Sequence, residues 1–194
     1  NRRTRRAVSW NCCQNRRVAD HLYYSCWLRG FSPLSMLRQY GKALELFPFS
    51  PQNPADSVLR VQAVSTAEPY LLERAYLDPV DPKLVAEEAG EFLHEDCAYS
   101  FDTWWGLWTY EKDWKLGPAR VSIQCFGPRF SDSPLGDEES RAEHLRVDFG
   151  LDTWFLPQAE LENGAWYARS NLKGLLKYVH SLDEVLPIER RSLW

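Results

Sequence analysis

The chain has 194 residues, 44% hydrophobic and 14% aromatic, enough for one domain with a core of its own and far from the composition of a disordered chain. Residues 1–20 hold six arginines against Asp20 alone, and the remainder carries 17 Lys and Arg against 26 Asp and Glu, so a basic arm precedes an acidic body. No apolar run approaches the roughly 20 residues of a membrane-spanning helix, which excludes a helical membrane protein.

The arm, residues 1–20, has no apolar periodicity and reads as a disordered tail ahead of an α+β domain over 21–194. Its arginines could neutralise nucleic-acid phosphates. No nucleic-acid signature follows it, and the acidic body would repel phosphate. Asp20 and His21 interrupt the apolar stretch that an export signal requires.

From Leu22 to Phe31 the aromatic run LYYSCWLRGF, closing on Gly30, predicts a strand and a turn. Ser32 as cap and Pro33 at the first helical position then open a helix, with Leu34, Leu37, Tyr40, Leu44 and Phe47 as its apolar stripe and Pro48 as its end. The prolines of PFSPQNPAD, 48–56, dictate a rigid surface loop, and VLRVQAVS, 58–65, alternates as a strand. Asp81 caps a second helix over 82–96, with Leu84, Val85, Ala89, Phe92 and Leu93 inward. Residues 99–110 and 119–126 form two antiparallel strands at the centre of the sheet, joined by the polar connection 111–118. The polar segment 131–143 reads as a mobile loop, 145–150 as a strand, and 171–182 as a helix with Leu172, Leu175, Leu176 and Val179 inward. The expected architecture is a largely antiparallel sheet of five or six strands with two or three helices on one face.

The triplet LRV occurs at 59–61 and again at 145–147, and at the same spacing His94 aligns with His180. Such a recurrence suggests two pseudo-symmetric halves.

The five cysteines, Cys12, Cys13, Cys26, Cys97 and Cys125, show neither a CxxC pair nor ligand-like spacing to histidine. This fits a reducing cytosol, with Cys26 and Cys125 as small buried hydrophobes in strands, and implies no metal site. No phosphate-binding glycine loop, nucleophile elbow or HExxH is present, and no cofactor is indicated.

Three weaker constellations remain. Glu91 and His94, three apart on the expected helix, share a face and with His144 form the best acid–base set. The alternative is a solvated acidic helix face. In FDTWWGLWTYEKDW, 101–114, alternation sends Trp105 and Leu107 to the core and Trp104, Trp108 and Tyr110 to the opposite face; these three with Trp114 are the candidate ligand- or partner-binding residues. Finally, Arg29, Arg60, Arg120, Arg129 and Arg146 alternate with apolar neighbours and are expected to pair with acids across strands.

Strand, helix and strand followed by a tryptophan-rich hairpin and an acidic surface give a general shape similar to that of small bacterial immunity-type inhibitors, which block a toxin partner. The resulting expectation is a cytoplasmic, non-catalytic binding module with a protein partner. The alternatives are a small-molecule enzyme with a His/Glu site and a nucleic-acid-associated protein using its arm.

Overall fold

A computed structural model describes residues 20–77, 79–131 and 143–194. The expected disordered arm and most of the expected mobile loop at 131–143 therefore lie outside the described residues. Seven strands form one antiparallel sheet: β1 (His21–Leu28), β2 (Ser57–Ala63), β3 (Tyr70–Tyr76), β4 (Cys97–Tyr110), β5 (Trp114–Phe126), β6 (Leu145–Leu151) and β7 (Ile188–Leu193). Their spatial order is β3-β2-β4-β5-β6-β1-β7. Helices α1 (Pro33–Glu45), α2 (Pro82–Gly90) and α3 (Gly164–Val185) complete an α+β fold.

Alternation along β4 and β5 explains the layering. Tyr99, Phe101, Trp105 and Leu107 of β4, and Val121, Ile123 and Cys125 of β5, are buried, while their even-numbered neighbours are more exposed. The helices pack on the odd-numbered face. Tyr40 of α1 donates its hydroxyl to the Ile123 carbonyl oxygen at 3.1 Å, and Tyr178 of α3 donates to Ala43 O at 3.0 Å, so α1 is held between the sheet and α3. Facing the sheet, Glu88 of α2 takes Arg74 of β3 at 2.6 Å.

Local chemistry sets the element ends. The Ser32 N–H donates to Ser35 Oγ at 3.0 Å at the start of α1, Asp81 Oδ1 accepts from Lys83 N at 2.9 Å at the start of α2, and Gly30 takes the positive φ, +63°, of the turn after β1. At Gly127 a side chain is excluded for another reason. Its N–H donates to Cys97 O at 2.8 Å, and a Cβ would stand 2.4 Å from Glu95 O and 2.7 Å from Cys97 O.

Several sequence expectations are revised. The central hairpin is longer than expected, because Trp114–Pro118 pair with β4 and leave only Glu111–Asp113 as the turn. β3 and β7 are additional strands; both lie at the sheet edges and are too exposed for clean alternation. Helix α2 ends at Gly90, so Glu91 is its C-cap and His94 follows in a turn, and the two do not share a helix face. The inward stripes are also rotated. Leu34, Leu84, Leu93, Leu172 and Leu176 are exposed, whereas Met36, Ala43, Ala168, Asn171, Tyr178 and Leu182 are buried. The two LRV triplets lie in β2 and β6, which flank the central hairpin symmetrically. The correspondence stops there, since His180 is inside α3 and His94 is in no helix.

Candidate functional site

The aromatic residues of the hairpin divide between two places. Trp104 donates its indole N–H to Ala55 O at 2.8 Å and so fastens the loop 48–56 to β4, whose edge there also pairs with Phe49 and Ser50. Near the hairpin tip Trp108 and Trp114 meet α3, and Tyr110 packs beside Trp114. Trp114 stacks on Tyr167 with centroids 4.4 Å apart and donates Nε1–H to Glu162 O at 2.9 Å. Trp108 lies 4.8 Å from the Tyr167 ring and 6.2 Å from that of Trp166, and Tyr110 lies 5.4 Å from Trp114. The first turns of α3 thus cover much of this aromatic surface.

Asn171 fixes that junction. Its Oδ1 accepts from Trp108 N, and its Nδ2 donates to Trp108 O and Trp154 O, all at 2.8 Å. A helix side chain thereby takes the place of a neighbouring strand at the free edge of β4.

The acid–base candidates are not assembled. His94 Nδ1 pairs with Asp96 at 2.6 Å. His144 lies flat on Phe31, centroids 4.0 Å apart, and its Nδ1 accepts from Leu28 N at 2.8 Å. Among the described residues, no hydrogen bond or ion pair joins Glu91, His94 and His144 to one another. Among the described residues no cluster of three or more His, Cys, Asp or Glu side chains could hold a metal ion.

Comparison with protein-family models, curated proteins and solved structures gives no match to this chain.

The sheet face opposite the helices carries the candidate site. Strand registers place Glu73, Arg60, Ser100, Gln124, Arg146, Ser25 and Ser192 side by side, one from each strand in spatial order, as a polar row crossing the whole sheet. Four of the five arginines singled out in the sequence pair with acids, but only Arg60 and Arg120 do so across strands as expected. Arg60 bonds Glu73 at 2.6 Å and Asp102 at 2.5 Å, Arg120 bonds Asp102 at 2.6 Å, Arg129 bonds Glu95 at 2.5 Å, and Arg146 bonds Glu143.

Arg146 differs from the rest in being buried. Its guanidinium carbon lies 5.3 Å from the centroid of Phe126, 5.6 Å from Tyr23 and 5.9 Å from Trp194, within cation–π range of all three rings. Burial pulls its pKa below the ordinary arginine value. Its partner Glu143 is fully buried, and among the described residues Arg146 Nε and Glu143 Oε2 have no hydrogen-bond partner.

Between the two LRV strands lies a basin of about 270 Å³. Small residues of the central strands, Ala98 and Ser100, form its floor beside Gln124; Arg60 and Tyr70 stand on one side, Phe126, Phe130 and Arg146 on the other. The rim is closed where Ser131 donates both N–H and Oγ–H to Val64 O at 2.9 Å. Alternation puts Arg60, Arg120 and Arg146 on this face, while Arg29 and Arg129 lie in turns rather than strands, and Arg60 and Arg146 share a row that neither strand reveals because register between strands distant in sequence is not written in either.

Proposed function

We propose that this protein is a non-catalytic protein-binding module that engages its partner through the open face of the sheet. The observation that carries this reading is the cross-sheet row itself: a face that, among the described residues, meets a helix at the hairpin tip, where the start of α3 packs on Trp108, and that is fixed in register over seven strands and bears arginines, rings and short polar side chains. Arginine, tyrosine and tryptophan are the side chains that most often dominate protein interfaces. Such a rigid face suits a partner that docks without reorganising the sheet. The separate engagements of His94 and His144 lend no support to an acid–base centre. Inhibition by surface occlusion, the mode of the immunity-type inhibitors that the order of elements resembles, is compatible with such a face.

The test is affinity capture from the source cells with three immobilised proteins: wild type, Ser122→Arg, which adds a long cation in mid-face, and Lys177→Glu on the outer surface of α3. A stoichiometric protein retained by wild type and Lys177→Glu but lost with Ser122→Arg supports the reading. Equal retention by Ser122→Arg, or loss through Lys177→Glu alone, refutes the open face as the docking surface.

A further inference from the structure

We infer that the basin between Arg60 and Arg146 receives a carboxylate side chain, Asp or Glu, from the protein partner; the inference rests on the protein-binding reading above. The basin lining holds two arginines and no Asp or Glu, in a body where acids outnumber bases. Two of the groups lining it, Arg60 and Arg146, are donors only, and the hydroxyls of Ser100 and Tyr70 can donate as well. Arg60 uses Nε on Glu73 and Nη1 on Asp102, leaving Nη2, and among the described residues the hydroxyls of Ser100 and Tyr70 make no hydrogen bond. Arg146 brings a guanidinium whose Nε is unpartnered although its side chain is only 9% exposed.

A donor without an acceptor in a buried setting costs free energy that an incoming acceptor recovers, and a guanidinium edge matches a carboxylate in shape as well as charge. The rings of Tyr23, Phe126 and Trp194 hold that guanidinium in place, so little side-chain entropy is lost when a ligand arrives. Size points the same way. At about 270 Å³ the basin falls below the roughly 300–1,000 Å³ of pockets for drug-sized ligands, and it suits one acidic side chain.

The probe is glutarate, titrated into ¹⁵N-labelled full-length protein at constant ionic strength, with 1,4-diaminobutane as the cationic control. The Arg146 Nε–H resonance is expected to shift saturably with glutarate and to stay put with the diamine. Ser100→Glu and, separately, Gln124→Glu place a carboxylate in the basin from its floor, and each is expected to weaken glutarate binding at least tenfold. No saturable shift, an equal response to the diamine, or undiminished binding by both folded variants overturns the inference. Capture of the partner tests the two ideas separately: a partner lost with Ser122→Arg but retained by Ser100→Glu leaves the docking face standing and removes the carboxylate site. Glutarate binding without any captured partner upholds the anion-binding basin and removes the protein-binding reading.

Discussion

Replacing Asn171 by Ala removes three hydrogen bonds at once, and the structure gives the size of the loss. Asn171 is 3% exposed and is the partner of Trp108 N, Trp108 O and Trp154 O. Leaving a buried polar group unsatisfied costs about 1–3 kcal/mol. Because Trp108 is only partly buried, water can reach part of this edge, and better helix propensity in α3 returns about 0.7 kcal/mol. A net loss of about 3 kcal/mol follows, equivalent to roughly 6–12 °C in Tm for a chain of this size. Chemical denaturation followed by tryptophan fluorescence measures the free energy, and amide exchange at Trp108 reads the local bond. Asn171→Asp sharpens the test. It keeps the acceptor but turns the two donated bonds into contacts between a carboxylate and two carbonyl oxygens, which favours the protonated acid. Relative to wild type, its stability should rise as pH falls from 7 toward 4, because the protonated acid again donates. A loss below about 0.5 kcal/mol in Asn171→Ala, too little for even one unsatisfied buried group, together with a pH-independent Asn171→Asp, would refute the edge-capping role.

Two further outcomes are expected. Trp105→Ala should cost about 3–5 kcal/mol in equilibrium unfolding, as deletions of large buried aromatics do, since Trp105 is 6% exposed between Phe47 and Phe149; Trp104→Ala, on the other face with one bond to Ala55 O, should cost about 1 kcal/mol. Burial pushes the thiol of Cys26 up to about 12 and that of Cys97 up to about 11, and raises Cys125 further, so in a Cys12→Ser/Cys13→Ser background these three should resist disulfide reagents at pH 8 until denaturant is added. The same shifts imply stability that is full below the unfolded thiol value near 9 and falls as pH rises toward the folded values, since the unfolded chain loses its protons first.

Much of the layering was legible because it is local. The period-two pattern of 97–110 sends Trp105 and Leu107 inward and Trp104 outward, and the structure agrees. Ser32, Pro33 and Asp81 announced helix starts for reasons of capping that need no tertiary context. The helix faces were harder. Leu172 and Leu176 outrank Ala168 and Asn171 in hydrophobicity, yet α3 turns the latter pair inward, because Asn171 has a strand edge to satisfy and the packing surface admits small residues. Hydrophobicity by itself does not reveal a backbone group waiting to be bonded.

The open face was illegible for a related reason. Alternation identifies which residues share a side of the sheet, but the chain order β1 to β7 says little about the spatial order β3-β2-β4-β5-β6-β1-β7. Arg60 and Arg146 stand in recurring LRV triplets on strands that never touch, joined into one row through Ser100 and Gln124 of the central hairpin. The triplet carries its own logic: Leu59 and Val61, like Leu145 and Val147, fill the core while the arginine between them must face away. Placing the two strands symmetrically about the hairpin turns that local constraint into a pair of guanidinium groups across a floor of small residues. The consequence is a basin flanked by two guanidinium groups that neither strand encodes alone.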